Sequence, residues 1–188
     1  MSYDDDRSLL NATIEAIRPP NTEASADARE RQGQLTKPPG SLGRLEALAE
    51  RIAGITGESR PRLDQRLVIV AAGDHGVTAQ GVSAYPAEVT AQMVANFLHG
   101  GAAINVLAAH AGARVRVVDA GVAAETPLDP RLVRLRLAPG TEDFTQTRAM
   151  TPELATAALA EGIRLFESEC AGEGVDIVAC GEMGIGNT

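Results

Sequence analysis

The most informative motif in this sequence is the glycine-rich segment G-E-M-G-I-G-N-T at residues 181–188. Glycines allow a tight backbone turn and bring N–H groups close to an anion, and a helix beginning after Thr188 would add its positive end. The spacing is not G-x-G-x-x-G, and the lysine of a P-loop is missing. The residues alone leave two interpretations open, a phosphate-binding turn and an ordinary turn between a strand and a helix.

Glu182 is the carboxylate within this segment. A bound phosphate would repel it, because like charges at close range disfavour one another. We therefore expect Glu182 to face a hydroxyl group or a proton that is to be removed, as the carboxylate of a general base does. A solvated position in a loop is the alternative.

Asp74 and His75 form a second polar pair, placed directly after an apolar run. Such a pair could exchange protons or contribute to a metal site. Neither H-x-x-x-H nor H-E-x-x-H spacing is present to supply further ligands, so we expect no metal ion. We favour a polar turn that orders a pocket.

A third candidate region is the loop at 81–86, which leads into a helix. Ser83 and Tyr85 can donate hydrogen bonds, and Gln92 follows about two turns into the helix. These side chains could form one wall of a site for an aromatic ligand. Simple capping of the helix is the alternative, and the local sequence by itself favours it.

Three apolar runs must position these candidates. The run at 67–72 is short and continuous, which is typical of a strand covered on both faces of a parallel sheet, and we expect two further strands at the other runs. Each run ends in a polar, glycine-rich turn, at 73–76, 119–122 and 181–188. Since ligands of open α/β sheets bind at the carboxyl ends of the strands, the sequence predicts that the three turns meet at one site. The runs are 67–72, 115–118 and 175–180.

Helical patterns surround these strands. Residues 1–66 read as a small helical domain, with helices over Asp5–Ile17 and Glu23–Gln34 and a third that Ser41 could cap. Gly57 is a suitable stop for that third helix. Residues 67–188 read as alternating strands and helices, which predicts a Rossmann-like parallel sheet with flanking helices.

The sequence also predicts individual helices and strands within this α/β fold. A helix begins near Pro86 and buries Val89, Met93 and Phe97 in the core. The strict alternation at 133–137 predicts a half-exposed edge strand, and a long helix opens at Thr151. The last apolar run, 175–180, is expected to be a buried strand.

Composition limits the class of partner. The chain has 188 residues, 44% hydrophobic, with a net charge of -8. Nucleic-acid binding usually needs a basic face, so we do not expect it. The apolar runs are far shorter than the roughly 18 residues of a membrane helix, so we expect no membrane partner either.

The cysteines and the N-terminus indicate a compartment. Cys170 and Cys180 lie in apolar patterns, and we expect two reduced, buried thiols. The first residues, MSYDDDRSLL, are acidic and are not typical of a secretory signal or a transit peptide. We therefore expect a cytoplasmic protein.

Seven stretches taken together resemble one family, the nicotinate-nucleotide–dimethylbenzimidazole phosphoribosyltransferases, which make the lower ligand of cobalamin. Each stretch alone is weakly informative, but the ordered set is highly specific and covers most of the chain from Leu35 onward. The stretches are LTKPPGSLG at 35–43, AGDHGV at 72–77, VSAYP at 82–86, VTAQMV at 89–94, GGAAIN at 100–105, DAGV at 119–122 and GEMGIGNT at 181–188.

The resemblance implies a Rossmann-like domain with a small helical domain, in a homodimer. It implies transfer of phosphoribose from nicotinate mononucleotide to 5,6-dimethylbenzimidazole, giving α-ribazole 5′-phosphate and nicotinate, without a metal or organic cofactor. Ser83 and Gln92 would lie near the benzimidazole, and Glu182 would be a secondary catalytic carboxylate. The phosphate-binding loop would contain Gly184, Gly186, Asn187 and Thr188.

The chain also departs from that family, whose members are nearly twice this length. Their principal catalytic glutamate lies near the C-terminus, beyond the position of Thr188. The resemblance therefore implies that this chain is an N-terminal part of the enzyme and turns over slowly or not at all alone.

The residues are also compatible with two other functions. One is a non-catalytic module that binds a benzimidazole or a nucleotide and pairs with a separate C-terminal chain. The other is a metal-dependent hydrolase built on Asp74 and His75, which ranks last because the spaced additional ligands are missing.

Overall fold

The computed structural model describes residues 2–188, which divide into two compact units. One unit joins the segment ending at Ala12 to Asp64–Thr188, and the other is Thr13–Leu63. The helices α1, α2 and α3 span Tyr3–Ala16, Thr22–Gln34 and Arg44–Thr56. Among residues 2–188, no helix combines the length and the apolar character needed to cross a membrane.

Small residues bring α2 and α3 together. Ala28 and Ala53 are buried, and a Cβ added at Gly54 would overlap the hydroxyl of Ser25. Helix α3 ends at Gly57, whose φ of 75° is left-handed, as the sequence predicted. The two helices therefore pack through small side chains rather than through a large apolar core.

The prediction that Ser41 caps α3 is wrong. The chain makes two tight turns before the helix, and Gly43, with φ 54°, occupies the N-cap position without a side-chain hydrogen bond. Glu46 serves the turn instead: it accepts from the Leu42 amide at 3.2 Å and from Lys37 Nζ at 2.7 Å. A carboxylate in the first helical turn also complements the helix dipole.

The other unit is built on a parallel sheet of four strands in the order β3-β2-β1-β4. This confirms the predicted fold class. Both edges of the central strands β1 and β2 are paired, and β1 carries the continuous apolar run at 67–72 that is typical of a strand covered on both faces. The strands are β1 at Arg66–Gly73, β2 at Ala113–Gly121, β3 at Leu132–Arg134 and β4 at Ile177–Met183.

Helices and one 3-10 turn connect the strands. The core packs Val70 of β1 and Val117 of β2 against Val94 and Phe97 of α4. Helix α4 begins three residues after Pro86, and Val89 and Met93 are only half-buried, so its buried face is rotated from the predicted one. The connecting elements are the 3-10 turn Gly76–Gln80, α4 at Val89–Leu98, α5 at Ala103–His110 and α6 at Pro152–Gly172.

The expectation of a buried last strand is wrong. Strand β4 pairs with β1 along one edge and lies at the border of the sheet, where Ile177 and Val178 are 45% and 37% exposed. Cys170 and Cys180 are free, as expected, but both are exposed rather than buried. Position at the sheet border explains the exposure of Cys180, because a border strand lacks a neighbour on one side.

Candidate functional site

The turns that follow β1, β2 and β4 meet at the carboxyl edge of the sheet. The Asp74 amide donates to the Gly121 carbonyl at 2.9 Å, which joins the first two turns. A Cβ added at Gly184 would overlap the Gly73 carbonyl oxygen, so the third turn lies directly against the first. This is the edge where ligands bind in open α/β sheets.

Asp74 is buried, with 6% of its surface exposed, and joins three loops. Its Oδ2 accepts from the Ala123 amide at 2.8 Å, and its carbonyl accepts from the Thr141 amide at 3.0 Å. Gly140 has φ 99°, and a Cβ there would lie 2.8 Å from the Asp74 carbonyl oxygen. Glycine fits this position because it has no Cβ. Asp74 thus orders the turns around a cleft of about 150 Å³.

His75 lies between that cleft and the glycine-rich turn. Its ring nitrogen Nε2 would be 2.9 Å from a Cβ placed on Gly184, and its carbonyl accepts from the amide of Thr78 at 3.1 Å. Across the part of the chain that the structure describes, no group of three His, Cys, Asp or Glu side chains could share a metal ion.

The glycine-rich turn is shaped by its neighbours. Gly186 has φ 91°, which side chains rarely adopt, and a Cβ there would lie 2.8 Å from the methyl of Thr78. Together with Gly184, it lets the turn approach the 3-10 turn without a clash. Only glycine fits these two positions, because the Gly73 carbonyl lies against Gly184 and because Gly186 requires a positive φ.

Two of the amides in this turn are already used. The Ile185 amide donates to Thr90 Oγ1 at 3.1 Å, and the Asn187 amide donates to the Gly184 carbonyl at 3.1 Å. The amides of Gly186 and Thr188 donate to nothing within residues 2–188. A turn with two such amides can accept an anion.

Glu182 is exposed and is held by the same turn. Asn187 Nδ2 donates to Glu182 Oε2, while Thr188 Oγ1 donates to Asn187 Oδ1 at 3.1 Å. The hydrogen bond therefore holds Oε2 of the carboxylate in place and leaves Oε1 accessible to a ligand. This suits a group that accepts a proton from a ligand.

Two buried polar residues of the site were missed in the sequence analysis. Thr90 is fully buried in the first turn of α4, and Asp119 is fully buried at the end of β2. Asp119 accepts from the amides of Gly121 and Val122 at 3.2 and 2.9 Å and from Thr126 Oγ1 at 2.8 Å. The available signal was a polar residue inside or directly after an apolar pattern, which indicates a buried hydrogen bond.

Ser83 and Gln92 are not joined to the turns by hydrogen bonds between described residues. Ser83 Oγ accepts from the Tyr85 amide at 3.1 Å, a local turn before the helix, and does not cap α4, whose N-cap position is Glu88. Gln92 is exposed, two residues after Thr90 on α4. The structure therefore places Gln92 on the helix that holds the glycine-rich turn.

Comparison with known proteins gives consistent matches. A family model described as phosphoribosyltransferase matches residues 17–188. The nicotinate-nucleotide–dimethylbenzimidazole phosphoribosyltransferase of Chloroflexus aggregans is 60% identical over 181 residues, which are 96% of this chain and 51% of that protein. The protein of the same name from Geobacter sulfurreducens is 52% identical over 180 residues, with the same coverage.

Solved structures agree with these sequence matches. A crystal structure of CobT from Thermus thermophilus superposes with a TM-score of 0.84 at 52% identity, covering 88% of this chain and 49% of that one. The chain spans about half the length of the curated relatives that it matches.

Proposed function

This chain belongs to the nicotinate-nucleotide–dimethylbenzimidazole phosphoribosyltransferase family, and we propose that it forms a part of such an enzyme. The reaction would transfer phosphoribose from nicotinate mononucleotide to 5,6-dimethylbenzimidazole, giving α-ribazole 5′-phosphate and nicotinate. The observation that carries this proposal is the turn at 181–188, which places two unused amides beside a carboxylate.

In this proposal the turn binds the 5′-phosphate of the nucleotide. The amides of Gly186 and Thr188 donate to it, while Gly184 and Asn187 shape the turn. Fixing the phosphate fixes the ribose, so that the anomeric carbon is presented to the acceptor in one orientation. No positively charged side chain is needed where backbone amides converge.

The acceptor's ring nitrogen attacks the anomeric carbon as nicotinate leaves. The other ring nitrogen then loses its proton, and Glu182 is placed to accept it. Ser83 and Gln92 would contact the benzimidazole, as the resemblance implies. The bond between Thr90 and Ile185 supports this placement, since it ties the helix of Gln92 to the phosphate turn.

Several finer points belong to the same proposal. Residues 1–66 would form the helical part and residues 67–188 a part of the phosphoribosyltransferase domain of a homodimer. The principal base would be a glutamate outside these 188 residues. Two free thiols are typical of a reducing compartment and support a cytoplasmic enzyme.

Calorimetry and a turnover assay test the proposal. The 188-residue chain should bind nicotinate mononucleotide and 5,6-dimethylbenzimidazole, and should release nicotinate slowly until the remaining half of the Chloroflexus aggregans relative is added. A chain that binds neither compound would contradict the proposed substrates. Binding that is never followed by turnover, even with the added half, would favour a non-catalytic module.

Glu182→Gln is the variant that tests the carboxylate. The amide keeps the shape but cannot accept a proton, so the nicotinate release rate of the complemented enzyme should fall by about 10- to 100-fold. The affinity for nicotinate mononucleotide should change by about twofold or less, since Glu182 does not hold the phosphate. Glu173→Gln, at a side chain that is 70% exposed, is the matched control. Equal rates for both variants would refute a role in proton transfer.

A further inference from the structure

Thr90 is a polar side chain on the buried face of α4. Its exposure is 0%, and the other buried residues of the helix, Val94, Phe97 and Leu98, are apolar. A buried hydroxyl is costly unless it is hydrogen-bonded. Its partner is the Ile185 amide at 3.1 Å, which lies 95 residues further along the chain.

This bond acts on the peptide groups of the turn. A peptide unit is rigid and planar, so fixing one N–H fixes the plane to which it belongs. Thr90 fixes the plane before Ile185, and the Gly184 carbonyl fixes the plane before Asn187. The unused amide of Gly186 lies between these two fixed planes.

We propose that Thr90 is a positioning residue of the phosphate turn, acting through the Ile185 amide to hold the Gly186 amide ready for the anion. The inference rests on the proposed function, because it takes the turn as the phosphate site. Thr90 touches no reacting atom in this scheme. Thr90 also joins α4, which carries Gln92, to the turn. The proposed benzimidazole site and the proposed phosphate site are therefore held by the same helix.

Two substitutions separate the hydroxyl from the shape of the side chain. Thr90→Val keeps the volume and removes the acceptor, whereas Thr90→Ser keeps the hydroxyl. In Thr90→Val, amide hydrogen exchange at Ile185 should accelerate about tenfold or more, because its partner is lost. The dissociation constant for nicotinate mononucleotide should rise about tenfold, and Thr90→Ser should restore both values to within about threefold of the wild type.

Thr156→Val is the matched control, since its hydroxyl donates to the Pro152 carbonyl within α6 and, among residues 2–188, to no group of the turn. It should leave Ile185 exchange and nucleotide affinity unchanged. Hydrogen exchange at the amides of Val70 and Val117 reports whether Thr90→Val has loosened the core. Faster exchange confined to Ile185 and its neighbours supports the proposal. Equally faster exchange in the core contradicts it.

Two results would overturn the inference: unchanged Ile185 exchange in Thr90→Val, or accelerated exchange with unchanged nucleotide affinity. A wild-type chain that does not bind the nucleotide would overturn the proposed function, and with it the positioning role. Ile185 exchange would then still report on the bond itself, so the two failures are distinguishable.

Discussion

Asp119→Ala should lower the free energy of unfolding of the sheet unit by about 3–5 kcal/mol. The carboxylate is fully buried and accepts from two amides and a threonine hydroxyl. Alanine would leave the amides of Gly121 and Val122 without an acceptor, and each buried unsatisfied donor costs about 1–3 kcal/mol. Urea unfolding followed by circular dichroism measures the change.

Two further variants make the Asp119 result specific. Asp119→Asn keeps one acceptor oxygen for the amides and should lose only about 1–2 kcal/mol. Asp129→Ala removes a carboxylate that pairs with Arg131 at the surface, and surface pairs contribute about 1 kcal/mol or less. The interpretation fails if Asp119→Ala is no more destabilising than Asp129→Ala.

Gly184→Ala should reduce the affinity for nicotinate mononucleotide by about 100-fold. The added methyl would overlap the Gly73 carbonyl oxygen and would lie 2.9 Å from His75 Nε2. The carbonyl belongs to the end of β1 and cannot yield without breaking the sheet, so the turn must move outward. Calorimetric titration of the variant with the nucleotide measures the loss.

Gly162→Ala is the matched control for Gly184→Ala. Nothing lies within 4 Å of a Cβ added there, and the position is within α6. Alanine has a higher helix propensity than glycine, so this variant should be as stable as the wild type or more stable by up to about 1 kcal/mol. Full nucleotide affinity in Gly184→Ala would show that the turn does not bind the phosphate.

The fold class could be predicted because apolar runs and polar turns are local patterns. The continuous apolar run at 67–72 and the run at 115–118, which Arg116 interrupts, became the central strands, because strands covered on both faces are rich in apolar residues. The similar run at 175–180 gave a strand as well, but an exposed one. Which strand lies at a sheet border depends on pairing over long sequence distances, and residue type does not encode it locally.

Only part of the candidate site, likewise, could be predicted from the sequence. The meeting of the three turns could be predicted, because parallel strands end at the same edge of a sheet. The roles of Thr90 and Asp119 did not, because each depends on partners that become neighbours only in the folded chain. The cap of α3 failed for a related reason: Ser41 has the right side chain, but two turns shift the helix start to Arg44.

The strand order has a consequence for how the chain folds during synthesis. The central strand β1 pairs with β4, and the contact beside that pairing joins Gln65 to Asp176, 111 residues away. A ribosome adding about 5–20 residues per second needs roughly 6–20 s for that stretch. One edge of β1, with its unpaired backbone N–H and C=O groups, is therefore open to other chains for many seconds in each round of translation. Parallel sheets of this kind are slow to close and exposed to aggregation meanwhile, so chaperones that bind nascent chains should protect this segment first.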